Sequence, residues 1–333
     1  MRTRNYTIDI IRMAAAIVVM MGHLLHVKGS KSGFLIGTHL ESILSSGAFA
    51  VVVFFGLSGI ALRYQSDKFG SDLHWLTARF IRLMPVYWVT LFVPLVGCYL
   101  IGVNISYPGY GFAMSALGLQ AVLNEIAIPP VNPPLWSLSV ELYLSASLLV
   151  IGRLKRHSGF YILPMLLLIA ILFPNSLIFQ GLPIFYFGYL LPGINFKSNR
   201  NLIFRLATIL IPLGVLIVVP AILQSKYDAS FNFLICFSIA ALILMASLFF
   251  AKSEKTLLST ISQRSYSVYA AHAPVVLFVD KVLFSTNQVV TFPQVLFSLL
   301  FILVVTEFIY RFLEAPSIKY SRKYLESRQK SEK

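Results

Sequence analysis

The chain has 333 residues, of which 57% are apolar and 12% charged, with a formal net charge of +14. A soluble domain carries about 25% charged residues, so a water-dispersed globule is excluded. A membrane β-barrel is excluded too, because the apolar runs are long and continuous instead of short and alternating. The basic residues lie between the apolar runs and form no single patch, which argues against nucleic acid as a partner. Helices are the remaining solution, because each satisfies its own backbone hydrogen bonds in lipid. The sequence therefore predicts an all-α integral membrane protein, a bundle of about ten transmembrane helices. It reads as one domain over 1–333, with 314–333 a short basic cytoplasmic tail.

Taken in chain order, the predicted segments are 8–28, 44–64, 81–102, 134–152, 159–174, 177–194, 202–222, 231–250, 265–283 and 292–313. The N-terminus, with Arg2 and Arg4 before an apolar run, superficially resembles a signal peptide. Asp9 and Arg12 interrupt it and no small-residue cleavage site follows, so it reads as the first span. The long connection 103–133 has a moderately apolar middle, Phe112 to Ile128, suited to the interface or to re-entry. Cys98 and Cys236 fall inside apolar runs and read as small buried hydrophobes. With the N-terminus inside, every Lys and Arg except Lys28, Lys31, Lys226 and Lys281 falls on the inner side. That asymmetry places both termini in the cytoplasm.

Ionisable side chains inside such spans are expensive and face a cavity or a partner. In the first span, Arg12 and His23 are eleven residues apart and share a helix face, separated by about 16 Å along the axis. Arg12 equally suits a side chain snorkelling to headgroups, and His23 one hydrogen-bonded within the bundle. Arg79 and Arg82 share a face just before the third span and suit a phosphate; anchoring at the inner surface is the commoner role of such residues. In NPPLWSLSVELY, Pro133 and Pro134 fit a helix start and Trp136 the outer interface. Glu141 lies about 10 Å inside that end, at a depth similar to His23, as an acid–base pair or a structural ion pair. Ser265, Tyr269 and His272 recur at i, i+4 and i+7. This stripe either lines a cavity or holds helices together through hydrogen bonds. Gly56, Ser58 and Gly59 permit close helix approach, and Glu307 with Arg311 reads as an i, i+4 ion pair.

These segments together resemble the acyltransferase family 3 membrane proteins. The matching pieces run in family order: Asp9-x-x-Arg12 with Arg-x10-His ending at His23, FFGLSGIAL, Arg79-x-x-Arg82 leading into MPVYW, PLWSLSVELY, GLPIFYFGYLL and SYSVYAAHAP. Ala270 and Ala271 are smaller than is usual there, and no extracytoplasmic esterase-like domain is present, so the chain looks like a stand-alone form. The resemblance implies transfer of an acyl group, commonly acetyl from acetyl-CoA, to a hydroxyl of a sugar or glycolipid at the bacterial cytoplasmic (inner) membrane. It carries the functional histidine over to His23, the arginine of the first span to Arg12, and the cytoplasmic arginine pair to Arg79 and Arg82. On this expectation the three arginines hold the coenzyme A phosphates and the flexible arm runs along the first helix. His23 then acts as general base with Glu141 orienting it, or passes the acetyl group through an acetyl-histidine. Trp136, Tyr269 and His272 are candidates for the substrate path, and no metal is expected. The rival reading is a transporter or flippase for a lipid-linked sugar, whose intramembrane polar groups form a pathway; a catalytically dead structural subunit is a third.

Overall fold

The computed structural model describes residues 5–26, 47–69, 72–103, 107, 109–120, 128–151, 159–173, 176–193, 229–249, 254–280 and 292–331. Every regular element among the described residues is helical: α1 (Tyr6–His26), α2 (Ala48–Phe69), α3 (Asp72–Leu100), α4 (Gly109–Ala116), α5 (Leu135–Ile151), α6 (Gly159–Leu172), α7 (Leu177–Leu190), α8 (Ala229–Phe249), α9 (Leu257–Ile261), α10 (Ser265–Phe278), α11 (Phe292–Ile309) and α12 (Ala315–Ser331). Among the described residues, four stretches are long and apolar enough to cross a membrane: Tyr6–Leu24, Phe49–Phe69, Leu73–Leu100 and Pro293–Ser331. Leu135–Leu149, Ile162–Leu172 and Cys236–Phe249 are shorter apolar helices. The predicted segment 202–222 and the four lysines assigned to the outer side lie outside the described residues.

Two boundaries differ from expectation. The third span begins at Asp72 and not at 81, so Arg79 and Arg82 sit within the helix instead of before it. Their charge lowers the local hydropathy and hides a turn whose Trp75 and Ala78 are fully buried. The segment 314–333, expected as a short basic tail, is helical to Ser331 and packs along α3. Between α11 and α12 the helix does not stop but widens into a π turn at Tyr310–Glu314.

Close approach of α2 and α7 forms the middle of the bundle. A Cβ on Gly59 would fall on the carbonyl oxygen of Phe185, and one on Gly188 on that of Gly56. The two backbones are therefore in direct contact, the arrangement small residues permit in lipid. Around this pair, α1 packs against α10 and α2, and α3 against α5 and α10. The start of α1 is capped by Asn5, whose Oδ1 accepts from the Thr7 amide at 3.1 Å.

Prolines inside α3 and α10 free carbonyls that must be satisfied elsewhere. Pro94 cannot donate to Thr90 O, and Pro274 cannot donate to Ala270 O. The buried amide of Asn132 donates to both, at 3.1 Å to Thr90 O and 2.9 Å to Ala270 O. One side chain at the entry to α5 thus joins α3 and α10 through the two acceptors that the prolines expose. Replacing Asn132 by Leu strands both carbonyls, at about 1–3 kcal/mol each. The expected outcome is a melting temperature several degrees lower for the detergent-purified protein; an unchanged Tm would show that the carbonyls find other donors.

Candidate active site

The charged interior is assembled from α1, α2, α3, α5 and α10. Arg12, Ser58, Arg79, Arg82, Glu141 and Tyr269 all line one cavity. The Arg79 guanidinium pairs with the Glu141 carboxylate, and both side chains are largely buried, 7% and 13% exposed. Ser58 Oγ donates to the same carboxylate at 2.5 Å. Arg12 Nη2 donates to Leu57 O at 3.4 Å, which brings α1 to the α2 face carrying Ser58. Three guanidinium groups and one carboxylate therefore line the cavity, while Asp9 acts on Arg12, and Glu314 on both Arg12 and Arg82, from outside that lining. The Nε groups of Arg79 and Arg82 are buried and have no hydrogen-bond partner among the described residues. Buried donors of this kind are rare and costly unless something else accepts from them. Two unpartnered guanidinium edges in a cavity lined by three arginines fit an anion such as a phosphate.

From this cavity a line of polar side chains continues along α10. Ser137, at the cavity wall, lies 2.6 Å from the Tyr269 hydroxyl, which also reaches Pro134 O at 3.3 Å. The Tyr269 ring is in edge contact with His272, centroids 5.7 Å apart. His272 in turn lies against His23, centroids 5.2 Å apart with 40° between the planes. His23 is not among the cavity-lining residues but two ring contacts beyond Tyr269. Because α1 is unbroken from Tyr6 to His26, Arg12 and His23 stand about 16 Å apart along it.

The structure thus brings Arg12, Arg79, Arg82, Glu141 and Tyr269 together at one cavity, and groups His23 with His272 beside it. It does not place Glu141 as expected. That carboxylate hydrogen-bonds to Ser58 and Arg79, and the titratable ring set against His23 is that of His272. A lone carboxylate in an apolar bundle is held by the nearest guanidinium, and Arg79 lies deeper in its helix than the sequence indicated. Trp136 is half-buried and packs against the apolar core, not against the cavity. Among residues the sequence reading left out of the site, Ser137 precedes Glu141 by four residues, a spacing that already put both on one face of α5. Tyr266 lines the cavity as well and donates to Leu83 O at 2.8 Å, with no separate sequence signal beyond its place beside the stripe. Among the described residues, no group of three or more His, Cys, Asp and Glu is placed to hold a metal ion.

Two further carboxylates position α10. The buried Glu314, on the π turn, accepts from the Ser267 amide at 3.2 Å and from Ser267 Oγ at 2.5 Å. It thereby satisfies a donor in the first turn of α10, where no intrahelical acceptor exists. Glu307 binds Arg311 at 2.6 Å, as its spacing indicated, and also Arg264 at 2.5 Å just before α10.

Removing Glu141 should leave Arg79 as a buried unpaired charge. Glu141→Ala is expected to cost about 3–5 kcal/mol, read as loss of folded protein on thermal unfolding in detergent. The double variant Glu141→Leu with Arg79→Met should recover most of that loss. If the single variant unfolds no earlier than the parent chain, the pair is not the structural anchor described here.

Over residues 5–311 the chain matches the family model described as an acyltransferase domain. No curated protein and no solved structure matches it. Since that match leaves out only the two ends of a sequence whose cationic cavity and histidine pair are built from the shared motifs, the chain belongs to acyltransferase family 3.

Proposed function

We propose that this acyltransferase moves an acetyl group from acetyl-CoA, bound from the cytoplasmic side, to a sugar hydroxyl of a cell-surface polysaccharide or glycolipid. On this reading it resides in the bacterial cytoplasmic membrane with both termini inside. The observation that carries the proposal is the cavity of Arg12, Arg79 and Arg82, with two guanidinium Nε groups unpartnered. An acyl donor with a phosphorylated nucleotide end and a long neutral arm matches an anion site offset from a histidine. The about 16 Å between Arg12 and His23 is of the order such an arm spans.

In the reaction, the guanidinium groups hold the donor phosphates and Ser58 and Glu141 hold Arg79 in place. His23 takes the proton from the acceptor hydroxyl. That oxygen bonds to the thioester carbonyl carbon, the C–S bond breaks, and the thiolate leaves. The apolar walls of α1, α2 and α10 exclude water, which limits hydrolysis of the thioester.

The proposal is tested with inverted membrane vesicles supplied with radiolabelled acetyl-CoA, following label in the glycan fraction and release of free thiol. His23→Ala is expected to abolish transfer while the protein still inserts. Arg82→Gln removes a charge-assisted phosphate contact worth about 1.5–3 kcal/mol and should raise KM for acetyl-CoA by roughly 10- to 100-fold. Label transfer at the parent rate in His23→Ala would overturn the assignment. A chain that moves a lipid-linked sugar across the vesicle wall without releasing thiol would be a transporter instead.

A further inference from the structure

We infer that His272 is the positioning residue for His23, fixing its tautomer through a neutral histidine–histidine pair inside the bundle; the inference rests on the acyl-transfer role given to His23 above. His272 is fully buried, at 0% exposure. Its Nδ1 lies 2.6 Å from the backbone carbonyl of Tyr269. A carbonyl only accepts, so Nδ1 carries the proton, and in the neutral ring Nε2 is then an acceptor. That Nε2 is buried and has no hydrogen-bond partner among the described residues.

The neighbours narrow what this acceptor can serve. The Tyr269 hydroxyl is engaged by Ser137 and Pro134 O, and the Glu141 carboxylate by Ser58 and Arg79. The ring in contact with His272 that can present an N–H is His23, at 5.2 Å between centroids. The contact is a ring packing in this structure, and the proposed pairing has His23 turn an N–H edge toward Nε2 by rotation about its outer side-chain bond, a broad torsion. Once that nitrogen donates, the opposite nitrogen of His23 must present its lone pair, which is the form a general base requires.

The same geometry accounts for the proton through the reaction. The acceptor hydroxyl gives its proton to the lone-pair nitrogen of His23 as its oxygen bonds to the thioester carbon. The C–S electron pair leaves with sulfur, and the proton passes from the imidazolium to the thiolate. Throughout, His272 holds the other N–H of His23 and stays neutral, with its own proton on Nδ1. A neutral acceptor suits this position, since a carboxylate buried beside His23 would carry its own desolvation cost, and the available carboxylate is already committed to Arg79.

The test compares His272→Phe and His272→Gln in the vesicle assay with labelled acetyl-CoA. A second arm records 15N spectra of the full-length, histidine-labelled protein in lipid. His272→Phe removes the acceptor and should lower kcat on the order of 100-fold with KM for acetyl-CoA unchanged. Gln offers Oε1 as an acceptor and should recover most of that loss. The 15N spectrum of the parent chain should show His23 as one neutral tautomer, and His272→Phe should convert it to a mixture. Parent-level kcat in His272→Phe, or a rise in KM alone, overturns the inference. So does a Gln variant no better than Phe, or a His23 tautomer indifferent to residue 272. If His23→Ala still transfers label while the tautomer depends on His272, the pairing stands and the catalytic assignment of His23 falls instead.

Discussion

Glu141 and Arg79 meet inside a bundle whose other walls are apolar, where neither charge could remain without its partner. The pair joins α5 to α3, and Ser58 on the same carboxylate joins both to α2. The cavity it organises is lined by three arginines and this one carboxylate. Arg12 and Arg82 are then held near a group that orients the cluster without cancelling it. Seen this way, Glu141 belongs with the arginine cluster, and the imidazole rings of His23 and His272 pair farther along α1 and α10.

Much of the interior follows one rule: a polar group out of water finds its partner within the protein. Pro94 and Pro274 break that rule locally, and Asn132 repairs both breaks with one amide. The first turn of α10 lacks an intrahelical acceptor, and Glu314 supplies one from another helix. These repairs fix α10 from both directions, which matters because α10 carries Tyr266, Tyr269 and His272. The Nε atoms of Arg79 and Arg82 and Nε2 of His272, which the proposed chemistry uses, are among the buried side-chain atoms without a hydrogen-bond partner among the described residues.

Much of this was legible in the sequence, for identifiable reasons. The helices that begin at Tyr6, Leu135 and Ser265 announced themselves through apolar runs. The face shared by Arg79 and Arg82 followed from a three-residue spacing, and that of Tyr269 and His272 from the same arithmetic. What was not legible depended on contacts between helices far apart in the chain. Hydropathy placed the start of α3 too late because two arginines diluted an otherwise buried turn. Depth alone suggested that Glu141 served His23; only the packing of α3 on α5 shows Arg79 arriving first. The helical nature of 315–331 escaped a composition reading, since its polar residues lower the hydropathy while Ser317, Ser321 and Leu325 quietly form a buried stripe.

The π turn at Tyr310–Glu314 ties that last helix to α10. A regular helix advances about 100° per residue, so one extra residue in a widened turn resets the phase of everything after it. Upstream, α11 is aligned to α10; downstream, α12 is aligned to α3. Glu314 sits at the changeover, facing Ser267. The turn works as a gear between two shafts of different timing. A single inserted or deleted residue there would be transmitted at once to both the histidine-bearing and the arginine-bearing helix, whereas most substitutions on the lipid-facing side of the same element would pass unnoticed.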